Sequence, residues 1–239
     1  MSAASDKYER EVAAYMNKLP GVKAVRPTVG TDYPDVLAEY KGVSSYVEVK
    51  MSHTDNLSNP RMFYSGGKWQ TTYDTPAAKY AVDILNSSTQ TKQFIKNLSE
   101  FTSIPLKDIK IPTTKSGLKE PGAVSLKQMK AYFNQPGVNR YIANKENQDL
   151  GKVVTEHYTI GKVKPANYMQ AGDDFYRVGR ADPLRLGTAV PELKGRGDFK
   201  VRVGTRSEFY EVQAEIKIKQ MPKSPYSCMP GTNKKNPFK

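Results

Sequence analysis

Three side chains within the first fifty residues are spaced to do chemistry together. Tyr33-Pro34-Asp35 is followed, after a twelve-residue spacer, by Glu48-Val49-Lys50. Along a strand successive side chains alternate faces, so Glu48 and Lys50 share one face with Tyr46 while Val47 and Val49 take the other and enter a core. If the strand carrying Asp35 pairs with the strand carrying Glu48, their carboxylates come within a few ångströms. Two carboxylates so close repel unless a cation sits between them. Mg²⁺ suits that place, being a hard cation that prefers carboxylate oxygen and retains water, and the Val49 carbonyl can add a further oxygen. Such an ion polarises a phosphate and lowers the pKa of a bound water. Lys50 then stabilises the charge that develops on phosphorus, or orients the attacking water. Those are the parts that phosphodiester hydrolysis requires.

The elements that must position these residues are legible around them. Ser5 or Asp6 can cap a helix running to about Leu19, and Tyr8, Val12, Tyr15 and Leu19 recur along one face of it. Pro20-Gly21 ends the helix, and Val22 to Val29 reads as a short strand. Tyr33 to Tyr40 and Ser45 to Met51 read as two more, joined by a tight turn at Lys41-Gly42-Val43-Ser44. Asp35 and Glu48 then lie on the neighbouring strands of one hairpin.

The order helix, strand, hairpin with Pro34-Asp35 … Glu48-Val49-Lys50 resembles the PD-(D/E)XK nuclease superfamily, which includes many restriction enzymes and DNA repair nucleases. The resemblance covers residues 5–51 well and, less completely, a helix at Ser125–Phe133 with the strand after it. It implies an α/β fold, with a central mixed sheet flanked by helices in the restriction-endonuclease manner. It also implies Mg²⁺ or Mn²⁺ held by Asp35, Glu48 and Val49, DNA as the partner, and Lys50 as a catalytic group. Glu9-Arg10 on the first helix is similar to the Glu-Arg pair of archaeal Holliday-junction resolvases, which would make Glu9 a further catalytic carboxylate and bring Arg10 to DNA. The competing reading pairs Glu9 with Asp6 in a capping box. Several branches of the superfamily also carry a Gln on a later helix, which Gln128 matches, but Ser125-Leu126-Lys127-Gln128 is itself a capping-box string, and that reading is favoured. Ser52, two residues beyond Lys50, can contact a phosphate or cap the loop.

The rest of the chain supplies partners and exclusions. Lys plus Arg outnumber Asp plus Glu by 37 to 24, a net +13, which is the footprint of a polyanion partner. Arg61, Lys68, Tyr64, Trp69 and Tyr73 mix cations with aromatics in a hairpin around Gly66-Gly67, and there contact with DNA competes with packing; for Trp69 packing is favoured. Lys200, Arg202 and Arg206 on a C-terminal β-hairpin are expected to face phosphate. That hairpin also holds a second acidic set, Asp198 … Glu215-Ile216-Lys217, which is the rival site. His53 and His157 are too far apart to make a zinc centre; His53 just past the catalytic strand suggests an auxiliary base, but lone loop histidines are usually solvated and it is not counted in the site. The single cysteine, Cys228, excludes an internal disulfide and a thiolate cluster. No apolar run is long enough to span a membrane or to start a signal peptide, and a cytoplasmic location is expected.

The chain therefore reads as a nuclease domain over 1–220, with core segments 5–55 and 123–150, a large insertion at 56–122 and a β-rich extension at 151–220. A basic, disordered tail is expected over 221–239. The expected activity is metal-dependent hydrolysis of DNA, by an endonuclease rather than an exonuclease, and a homodimer is compatible with it. The alternatives are a structure-selective junction resolvase, a non-catalytic DNA-binding module on the same fold, and a basic structural protein that binds no metal between Asp35 and Glu48.

Overall fold

A computed structural model describes residues 3–27, 34–52, 56, 58–161 and 164–238. The chain divides into two units. The first comprises residues 1–55, 149–197 and 218–239, the second 56–148 and 198–217. This partition differs from the grouping expected above. The helix and strand of 123–148 belong with 56–122 rather than with 5–55, and 149–197 joins the N-terminal segment.

The first unit is built on a five-stranded sheet. Helix α1 (Ala3–Met16) leads into β1 (Val22–Val25), β2 (Val36–Tyr40) and β3 (Val43–Lys50). Helix α5 (Gly151–Thr159) precedes β7 (Ala166–Ala171) and β8 (Asp174–Arg177). The strand order is β1-β2-β3-β7-β8. β3 and β7 run parallel while the other neighbours run antiparallel, so the sheet is mixed. The β2–β3 turn falls at Lys41-Gly42, both with positive φ, which Gly42 adopts without steric cost. Val12, Ala13 and Met16 of α1 cluster with Val36, Ala38, Val47 and Val49, which sets α1 on that face of the sheet. Glu48 and Lys50 alternate to the other face, where Lys50 meets Tyr158 of α5. The sheet is thus flanked by helices, as expected for the α/β class.

Two expectations fail in this unit. The segment after Gly151 begins with a helix, α5, and not with a strand. The C-terminal residues do not form a loose tail: Cys228 and Phe238 are buried in the same core as Val47 and Phe175, and the Phe238 ring meets Tyr40 edge-on at 5.3 Å. A few apolar anchors bury well enough to order a Pro/Lys/Asn-rich segment that composition alone marks as solvated.

The second unit holds β4 (Arg61–Ser65), β5 (Lys68–Gln70), helices α2 (Pro76–Ser87), α3 (Thr89–Thr102) and α4 (Leu126–Phe133), then most of β6 (Tyr141–Asp149), β9 (Arg196–Thr205) and β10 (Tyr210–Gln220), whose residues 149, 196–197 and 218–220 count with the first unit. Its sheet is ordered β5-β4-β10-β9-β6. The expected hairpin at Gly66-Gly67 forms, and Trp69 is buried against Tyr64, so the packing reading holds there. Among the described residues no helix is long and apolar enough to cross a membrane.

Candidate active site

The β2–β3 register pairs Val36 with Val47, and one step further it sets Asp35 opposite Glu48. β2 begins only at Val36, and Pro34 has no N–H to extend the ladder. The Asp35 carboxylate takes the place of a ladder partner: its Oδ2 accepts the Val49 N–H at 2.8 Å. Glu48 is buried, and Lys50 Nζ lies 2.7 Å from its Oε1. The three residues singled out by spacing therefore form one cluster on one sheet face.

Burial, then the neighbouring Glu48 carboxylate, push the Asp35 carboxyl up to about 7. Lys50 and the Val49 N–H oppose that shift, and Glu9 adds to it. For Lys50, burial pulls the ammonium down, but Glu48, Tyr158 and Asp35 outweigh it and hold the group well above its ordinary value. Its neighbours thus favour the charged ammonium. The site sets two neighbouring acids against one ammonium, a balance that a second cation would relieve.

Tyr158 is the residue that sequence reasoning missed. It is fully buried, hydrogen-bonded to Lys50, with its ring centroid 5.6 Å from Nζ. Burial raises its hydroxyl above the ordinary tyrosine value, so the phenol stays neutral and its oxygen can accept from the ammonium. The available signal was the i, i+4 pair Val154 and Tyr158. The β-branched run Val153-Val154-Thr155 hid it by suggesting a strand.

Glu9 is also buried but is turned to other partners. Its Oε2 accepts from Arg26 Nη2 at 2.6 Å and Nε at 3.0 Å, and its Oε1 accepts from Ser5 Oγ at 3.0 Å. The competing Asp6–Glu9 capping box is absent because the helix starts earlier, at Ala3, which leaves Asp6 inside it and paired with Arg10 and Arg26. Arg10 is exposed, and Ser52 is half-buried just past β3. Tyr33 and His53 lie outside the described residues.

The remaining candidates belong to the second unit. Gln128 closes a capping box with Ser125, accepting the Ser125 N–H at 2.9 Å while its own N–H reaches Ser125 Oγ at 3.2 Å. The structure gives it this cap, the reading favoured on spacing. Arg61 and Arg206 lie 3.3 and 3.2 Å from the two oxygens of Glu211. Lys200 sits between Asp198 and Glu146, at 3.6 and 3.9 Å. Arg202 and Lys68 are exposed, and Arg202 lines an open groove with Arg140 and Tyr141.

Among the described residues no group of three or more His, Cys, Asp or Glu is arranged to hold a metal ion. Asp35 and Glu48 are a pair, and a pair completed by water and a main-chain carbonyl is a donor set that suits Mg²⁺. No protein-family model matches the chain, and no curated protein matches it. One solved structure, HhaI endonuclease in complex with DNA, is similar at 14% identity over 92% of this chain and 88% of that one, with a TM-score of 0.26. A score that low does not establish a shared fold.

Proposed function

We propose that this chain is a divalent-metal-dependent endonuclease that hydrolyses DNA phosphodiester bonds at Asp35, Glu48 and Lys50. The observation that carries this reading is the pairing of half-buried Asp35 with buried Glu48 across β2 and β3, with Asp35 driven up to about 7 by desolvation and by Glu48. An arrangement that raises the energy of its own charged form is what a cation site needs before its ion arrives.

Asp35 and Glu48 would hold Mg²⁺ or Mn²⁺. A strand residue presents its N–H and C=O to the same edge, so the Val49 carbonyl faces the side on which Asp35 takes the Val49 N–H, and it can be a third ligand. When bound, the ion supplies Lewis-acid polarisation of the phosphate and an acidified water. Lys50, held charged by Glu48 and Tyr158, offsets negative charge that develops on the phosphoryl oxygens as the nucleophile adds. Tyr158 fixes the direction of that ammonium. The net charge of +13 draws the polyanionic substrate to the protein.

The test is incubation of supercoiled plasmid with the purified chain, in Mg²⁺ and in EDTA. Nicked or linear product in Mg²⁺ alone, lost in Asp35→Asn and Glu48→Gln, is expected. Cleavage that survives EDTA, or that persists in either variant, would overturn the assignment.

A further inference from the structure

A groove of about 690 Å³ opens at the C-terminal end of β3, and its lining reaches into the C-terminal segment. One wall is Met51 and Ser52, the residues directly after Lys50. Another is the β7–β8 turn at Gly172, whose N–H donates to the Lys50 carbonyl at 2.9 Å and whose carbonyl accepts the Tyr8 hydroxyl at 3.0 Å. The groove is therefore hydrogen-bonded to the catalytic strand itself and to the helix that carries Glu9. Lys219, Lys223 and Lys234 line the remaining side.

These lysines differ in role. Lys234 pairs with buried Asp174, and Asp174 also accepts the Ser224 N–H at 2.8 Å. This pairing fastens the C-terminal segment to β8, as Phe238 does through the core. Lys219 and Lys223 are exposed along the groove, and the exposed acid Asp173 lines it too. Cationic side chains on an anchored segment, beside a phosphodiester site, suit a chain of regularly spaced phosphates.

We propose that this groove carries the backbone of the DNA strand being cut. Lys219 and Lys223 would contact phosphates flanking the scissile one, and Lys234 would hold the segment in place. The proposal rests on the nuclease reading for the identity of its ligand, and it can be tested apart from cleavage.

The experiment measures affinity for a short fluorescein-labelled DNA duplex over a range of salt concentrations, in EDTA. The proteins are the full chain carrying Asp35→Asn, and the same chain with Lys223→Gln alone or with Lys219→Gln added. Each lost phosphate contact should reduce the slope of log affinity against log salt by about 0.9. Lys7→Gln and Lys152→Gln, on exposed faces of α1 and α5, serve as controls and should leave the slope as it was. Duplex binding with an unchanged slope in the double variant overturns the proposal, and so does a failure of the parent chain to bind duplex. A reduced slope in a protein whose wild-type form does not cleave in Mg²⁺ would uphold the groove and reject the catalytic reading alone.

Discussion

Two stretches of this chain carry the same letters, an Asp followed at a distance by Glu-x-Lys, and the fold treats them differently. In the first unit Asp35 has Glu48 across the hairpin, and Lys50 and Tyr158 complete a cluster around the buried Glu48. In the second unit Asp198 is more deeply buried than Asp35, and it is met by Lys200 from its own strand and by the Asn147 N–H at 3.2 Å. Glu215 and Lys217 stay half-buried along β10. A string of residue types becomes a candidate site where acids converge faster than their charges are cancelled. Asp198 has its compensation built in, while Asp35 has an opposing acid.

The largest effects should separate the two sets in cleavage. Glu48→Gln should slow Mg²⁺-dependent cleavage by about a hundredfold or more, since a metal site supplies several kcal/mol of transition-state stabilisation and each 1.4 kcal/mol is a factor of ten. Glu215→Gln should leave the rate within error. Equal losses in both, read as initial rates of plasmid nicking, would erase the distinction between them.

Stability should separate the lysines as well. Lys50→Gln leaves buried Glu48 without its 2.7 Å partner and should cost about 3–5 kcal/mol in denaturant unfolding. Lys217→Gln should cost no more than about 0.5 kcal/mol, as is usual for residues outside such pairs. A Lys50 variant as stable as Lys217→Gln would mean that the Glu48–Lys50 pair is not the buried unit described here. Tyr158→Phe should act next in size. It removes one hydrogen bond to a charged group and should lower kcat by about tenfold with KM little changed. An altered KM with full kcat would move Tyr158 from orienting Lys50 to a role in substrate binding.

The hairpin of the first set was legible because period-two alternation from Val36 to Lys50 states both its strands and its faces, and Gly42 marks the turn. The Ser125–Gln128 cap was legible because its hydrogen bonds are local. What failed was non-local. No spacing in residues 1–55 shows that Tyr158 closes over Lys50, because that contact spans more than a hundred residues and is delivered by a helix whose Val153-Val154-Thr155 run favours a strand locally. Arg26 as the partner of Glu9 was hidden for a related reason, since the salt bridge joins a helix to the end of a separate strand. The last segment misled through composition: its Lys, Pro and Asn dominate any average, while Cys228 and Phe238, with Tyr226 and Met229 packed beside them, do the anchoring.

The subtlest expected effect lies in the pH dependence of stability, and its sign is fixed by Asp35. Its carboxyl rises from an ordinary 3.8 to about 7 in the folded chain, mainly through burial and then through Glu48. The metal-free folded state therefore binds this proton more tightly than the unfolded state does. The stability linked to it is fully present below about pH 4 and is lost as the pH climbs through about 7. Thermal melts in EDTA should show wild type losing stability across that window while Asp35→Asn, with nothing to ionise there, declines less. Mg²⁺ acts in the opposite direction, because it binds the ionised acid. The gain in Tm on adding Mg²⁺ to wild type should grow with pH up to about 7 and then level off. Wild-type and Asp35→Asn melts that run parallel, or a Mg²⁺ gain that ignores pH, would show that Asp35 is an ordinary solvated carboxylate and that the two Asp…Glu-x-Lys sets differ only in sequence position.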